Sequence, residues 1–182
     1  MSQSKISTSS QKTGEEMHSL MRELFSINRS LTGNGVRQTF QILKAHIPFE
    51  MLSFESGQNV LDWEIPDEWN VKEAWIKDPL GKKVVDFKNN NLHVLGYSEA
   101  YSGKLSIDDL KNHLYTKSDF PEAIPYLPSY YKKNWGFCLT QKQLDQFKPG
   151  EYDVLIDVEK KKGKLDIGHL VLKGAEPKEI LI

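Results

Sequence analysis

Two segments of the chain gather the side chains best suited to holding a ligand. Arg29-Ser-Leu-Thr-Gly-Asn-Gly-Val-Arg37 sets a guanidinium on either side of a glycine-rich turn. A guanidinium presents a planar fork of donors that matches a carboxylate, so Arg29 and Arg37 are candidates to clamp one. Surface pairing with acids is the competing use. The second segment, 124–140, brings Tyr126, Tyr130, Tyr131, Trp135 and Phe137 together with two prolines, Gly136 and Cys138. Tyr and Trp join a large apolar face to a polar tip, which suits a ligand-facing wall as well as a core. Pro and Gly hold such a stretch in turns rather than a helix, which favours a shaped surface. The candidate substrate-binding residues are therefore Arg29, Arg37, Tyr130, Tyr131 and Trp135, with plain packing as the alternative for the three rings.

Other chemistry finds little support. The five histidines stand at 18, 46, 93, 113 and 169, and no pair has metal-ligand spacing. Cys138 is the only cysteine, so neither an internal disulfide nor an all-cysteine metal site can form. A nucleophilic cysteine needs a nearby base, and Trp135, Phe137 and Leu139 around Cys138 predict burial instead. Thr32-Gly33-Asn34-Gly35 before a helix could offer backbone N–H groups to an anion, but it lacks a P-loop lysine and the Rossmann glycine spacing. Asn34 as an N-cap is the simpler reading. No catalytic residue and no metal ligand is assigned.

Composition narrows the classes. With 182 residues, 38% apolar and 27% charged, the chain can bury a real core. A net charge of −1 offers no field to gather nucleic acid or anionic lipid, so neither is an expected partner. No apolar stretch approaches the ~20 residues of a membrane helix. The lone cysteine fits a reducing compartment, and the cytoplasm is the expected setting.

The elements that must position these residues follow from periodicity. Residues 1–13, rich in Ser, Thr, Gln and Lys, predict a disordered tail. Met17, Leu20, Met21, Leu24 and Phe25 form a helical stripe over 14–28, with Thr13 and Glu16 as a capping box. A second helix is expected from Val36 to His46. Two-residue periodicity then marks strands around 61–65, 71–77, 83–87 and 92–97, with Asp78-Pro79-Leu80-Gly81 as a hairpin turn. Ser106 opens a third helix to Tyr115, and Thr140 with Gln143 opens a short fourth. Tyr152, Val154, Ile156 and Val158 alternate as a strand. Residues 165–172 are expected to return as its hairpin partner, bulged at Gly168. The apolar run 179–182 predicts the start of a buried strand that stops short, as in a chain cut from a larger protein. The fold class is α+β.

Four blocks carry a family resemblance: 29–37, Val-Leu-Asp-Trp-Glu-Ile-Pro-Asp-Glu-Trp-Asn at 60–70, Asn-Leu-His-Val-Leu-Gly-Tyr-Ser at 91–98, and Ser-Tyr-Tyr-Lys-Lys-Asn-Trp-Gly-Phe-Cys-Leu-Thr at 129–140. In this order they resemble bacterial and archaeal aminopeptidase-like proteins of the zinc aminopeptidase superfamily, whose peptidase domain is interrupted by an inserted domain. The resemblance implies a helical start of the peptidase-like domain at 14–60 and a β-rich insert at 61–150. It also implies the first strands of an incomplete α/β peptidase sheet at 151–182. The family's zinc-binding blocks follow that last strand and are missing here, so zinc is implied for the intact protein and no cofactor for this chain. The implied function is the N-terminal portion of an amide-cleaving hydrolase, inactive alone, whose partner is the missing peptidase portion or a second copy. The alternative is a stand-alone module binding a peptide-like or carbohydrate ligand, and a purely structural fragment is the third reading.

Overall fold

The computed structural model describes residues 3–175. The apolar run 179–182, expected to open a further strand, lies outside them. Helix α1 (Gln3–Phe25) and helix α2 (Asn34–Leu43) are followed by strands β1 (Glu50–Glu55), β2 (Asn59–Val60), β3 (Trp63–Glu64), β4 (Glu68–Lys77) and β5 (Lys83–Asp86). After a 3-10 turn at Asn91–His93 come β6 (Tyr101–Ser106), α3 (Ile107–Leu110), a second 3-10 turn at Lys111–His113, and β7 (Leu114–Tyr115). The chain continues with β8 (Phe137–Cys138), α4 (Gln141–Leu144), β9 (Glu151–Lys161) and β10 (Lys164–His169). The class is mixed α+β.

The centre is an antiparallel four-stranded sheet ordered β5-β4-β9-β6. Alternation places Ala74 and Ile76 of β4 on the same buried face as Tyr152, Val154 and Ile156 of β9. Leu110, Phe137 and Leu139 close over that face, so the segment after β8 is held by the core it covers. At about 25 cal/mol per Å² of apolar surface removed from water, this layer is the main stabiliser of the unit.

Local turn chemistry falls where the residues predict. Asp78 Oδ1 accepts the N–H groups of Leu80 (3.0 Å) and Lys82 (2.9 Å), fixing the β4–β5 turn. Thr140 and Gln143 form the expected capping box, and Ser106 caps α3.

Several expectations are corrected. The predicted tail continues α1 from Gln3, so Thr13 lies mid-helix rather than at an N-cap. The stretch before Gly14 has no proline, and its polar residues cost only about 0.5 kcal/mol each in a helix. The helix after Ser106 stops at Leu110, because Leu114 and Tyr115 pair in parallel with Phe137 and Cys138. Residues 91–93 form a 3-10 turn rather than a strand, and Asn90 accepts the Leu92 N–H (3.0 Å) at its start. The N-cap of α2 is Gly33, and Asn34 is the first helical residue.

Two corrections concern topology. Strand β9, expected to begin a separate peptidase sheet at 151, lies instead between β4 and β6 and completes the sheet of the middle region. Its returning neighbour β10 pairs with β1, from Glu50↔His169 to Glu55↔Lys164, and not with β9. Gly168 shows no register shift. A Cβ there would come within 3.0 Å of both Phe40 and Phe49, so the glycine clears room for two rings. The irregularities lie in β4, at Val71/Glu73 and Ile76/Lys77. The β1–β10 ribbon and α2 thus form a separate layer, seamed to the sheet unit near Lys161.

Candidate functional site

The turn at 29–37 meets the aromatic segment through Tyr97. The Tyr97 ring stacks on Trp69 (centroids 5.6 Å, 14°) and takes the edge of Tyr130 (4.8 Å, 75°). Its hydroxyl lies 2.7 Å from Thr32 Oγ1, whose other neighbour is the Asp67 carbonyl at 3.3 Å. Trp69 Nε1 donates to the Ser98 carbonyl (2.9 Å). The Tyr97 backbone is left-handed, with φ 62. That conformation is costly for a bulky side chain and persists where packing dictates it. Burial pushes its phenol pKa up.

A cleft of about 320 Å³ opens beside this knot. Its floor is Trp69, and Arg29, Ser30, Asn91 and Tyr126 surround it. Arg29 Nη1 donates to the Leu24 carbonyl (2.7 Å) and Asn91 Nδ2 to the Phe25 carbonyl (3.2 Å), so both cap the carbonyl-rich end of α1. Arg29 is exposed and forms no ion pair among the described residues, which leaves guanidinium donors for a ligand. Ser30 Oγ lies against the Tyr97 and Tyr130 hydroxyls. Its side chain interacts with both phenols and favours their ionised forms, against the stronger effect of burial.

The expected residues divide. Tyr130 sits behind the cleft, 3.2 Å hydroxyl to hydroxyl from Tyr126, with burial holding its phenol protonated well above the ordinary range. Tyr131 is 83% exposed and touches Tyr130 edge-on at 6.4 Å. Arg37 is spent on Glu68, donating from Nη1 to Oε1 (2.5 Å) and from Nη2 to Oε2 (2.8 Å). Trp135 is clamped between Tyr101 (3.9 Å, 13°) and His113 (3.7 Å, 10°). The structure therefore joins Arg29 to Tyr126 and Tyr130, while Arg37 and Trp135 serve packing and pairing. Tyr97 and Trp69 were not singled out as binding residues. Gly96 and Ser98 around Tyr97 mark a turn, but neither residue type marks a binding role.

Burial shifts two titratable side chains of the core. Burial pushes the Cys138 thiol up to about 11. The His93 Nδ1 faces the Cys138 carbonyl (2.8 Å), and burial lowers that imidazole's pKa. Among the described residues no group of three or more His, Cys, Asp or Glu side chains could hold a metal ion. The described residues do not offer a ligand set for the zinc implied by the family resemblance.

The fold is a mixed α+β unit with a cleft lined by Arg29, Ser30, Trp69, Asn91 and Tyr126. Residues 68–159, about half of the chain, match the family described as Domain of unknown function (DUF2172), and the chain belongs to that family. That span runs from the first residue of β4 into β9, the sheet unit itself. Over 173 residues the chain is 46% identical to a Clostridium acetobutylicum protein described as "Putative polysaccharide biosynthesis protein with aminopeptidase-like domain". This covers 95% of the chain and 40% of the relative. A crystal structure of a "putative peptidase" from the same organism matches with TM-score 0.85 at 46% identity, over 91% of this chain and 39% of that one. The chain thus spans about 40% of the length of the relative it matches. Among the described residues no helix is long and apolar enough to cross a membrane.

Proposed function

We propose that this chain is the recognition-bearing portion of a cytoplasmic aminopeptidase-like hydrolase that cleaves an amide bond at a peptide-like N-terminus. The observation that carries this is the 46% identity over 95% of the chain to a protein named for an aminopeptidase-like domain. The cleft supports it in chemical terms. Arg29 offers charged donors for a carboxylate, Asn91 offers a neutral amide for a peptide unit, and Trp69 and Tyr126 offer apolar walls. In this reading zinc and the residues that bind it belong to the remainder of such a protein, and this chain orients the substrate.

The test is a chimera in which this chain replaces the matching 40% of the Clostridium acetobutylicum relative. N-terminal residue release from a panel of short peptides is followed by mass spectrometry. Release by relative and chimera alike, with KM raised in Arg29→Met, supports the proposal. No release by the relative, or release by the relative and none by a folded chimera, contradicts it.

A further inference from the structure

A second cleft, of about 520 Å³, lies between the β4–β5 turn and the segment linking α4 to β9. Trp69 of the first cleft and Asp78 of this one lie nine residues apart along and just beyond β4. At about 3.3 Å per residue this separates the two sites by about 30 Å. The second cleft owes nothing to the peptide-recognition reading above.

Both of its walls are held by hydrogen bonds. One is the Asp78 turn, whose side chain is committed to two backbone N–H groups. The other is closed by Tyr152, whose hydroxyl accepts from the Lys148 N–H and donates to the Lys148 carbonyl, each at 2.9 Å. Phe147 stacks on the Tyr152 ring (5.0 Å, 21°). The walls meet where Gly150 abuts Pro79. A Cβ on Gly150 would fall 2.5 Å from Pro79 Cγ, and its φ of 150 adds strain to any replacement.

The lining combines an apolar floor with a cationic rim. Pro79, Val84, Phe147 and Tyr152 supply the floor. Lys82, Lys83 and Lys148 stand at the rim against one acid, Asp78. Lys83 is held by Asp86 (3.0 Å) and Glu73 (3.4 Å). Lys82 and Lys148 are exposed and make no ion pair among the described residues. Leu80, 92% exposed at the lip, has no packing role in the fold. A preformed cleft with an apolar floor and unpaired ammonium groups matches a ligand whose flat apolar body carries an anion.

We infer that this cleft is a binding site for a small molecule with a planar apolar body and a phosphate or carboxylate group. The body stacks toward Phe147 beneath Leu80, and the anion lies between Lys82 and Lys148. The experiment is an amide-resolved NMR titration of the 182-residue chain with phenyl phosphate, and in parallel with inorganic phosphate and with benzyl alcohol. The expected result is saturable shifts at Leu80, Lys82, Phe147 and Lys148 with phenyl phosphate, binding more tightly than either half alone. The double variant Lys82→Glu/Lys148→Glu weakens it roughly tenfold or more. Leu80→Ser, at a position outside the core, weakens it by a smaller factor. No saturable shift, shifts centred elsewhere, or affinity unchanged by the double charge reversal would overturn the assignment. Equal affinity for phosphate alone would reduce the site to a surface anion contact and overturn it too.

Discussion

Arg37 grips Glu68 with both guanidinium nitrogens, at 2.5 and 2.8 Å, and through it ties α2 to the start of β4. The same carboxylate accepts the Lys164 N–H (3.1 Å) at the start of β10, so one buried acid joins the helix, the sheet and the ribbon. The Glu68 side chain is 5% exposed and that of Arg37 37%.

This junction makes stability depend on pH. The Arg37 hydrogen bonds lower the Glu68 carboxyl below its ordinary value of 4.5, against the opposing pull of burial. A depressed acid contributes stability that is complete above its unfolded value and lost as pH falls through its folded value. Urea denaturation should therefore show a Glu68-dependent loss below pH 4.5 that is absent in Arg37→Leu. At pH ~7 that variant should lose about 2 kcal/mol, short of the roughly 3–5 for a fully buried pair because Arg37 is partly solvated. An unchanged midpoint at neutral pH would contradict the junction.

Trp135 is assigned to packing, and its removal should separate stability from binding. Trp135→Ala loses two stacked partners and should cost about 2–3 kcal/mol, less than a fully buried tryptophan. Peptide affinity of the folded variant should stay within about twofold. A selective loss of binding without loss of stability would return Trp135 to the site.

Cys138 is fully buried with its thiol held protonated up to about 11. A thiol reagent at pH ~8 should label it only after denaturant unfolds the chain. Labelling of the native protein would show an opening near β8 that the packing does not contain.

Helix α1 displays Met17, Met21 and Phe25 at 63%, 66% and 71% exposure, and Leu52 and Ile167 lie open on the β1–β10 ribbon. Apolar faces of this kind associate. The isolated chain is expected to self-associate in sedimentation experiments, and Met17→Lys/Met21→Lys should reduce it. Strict monomers at high concentration would contradict this.

The sequence showed what is local and hid what is distant. Asp78 and the Thr140–Gln143 box read correctly because each acts within a few residues. The alternation of Tyr152, Val154 and Ile156 announced a strand, but the same pattern serves any pair of neighbours, so its place between β4 and β6 was not readable. Arg29 and Arg37 flank one turn with identical chemistry. Which is spent depends on Glu68, 31 residues beyond Arg37. The role of Tyr97 is not legible in sequence, because a left-handed backbone at a tyrosine is imposed by its neighbours and leaves no trace in its own residue type.

The central claim is that Arg29, Ser30, Asn91 and Tyr126 form a recognition surface for peptide-like ligands. The most direct test is amide-resolved NMR of the 182-residue chain titrated with a short peptide bearing a free carboxylate, beside a neutral oligosaccharide of similar size. The account predicts saturable shifts at Arg29, Ser30, Asn91 and Tyr126 with the peptide alone, abolished by Arg29→Met. Shifts with the oligosaccharide and not the peptide, shifts confined to other surfaces, or binding indifferent to Arg29→Met would contradict it.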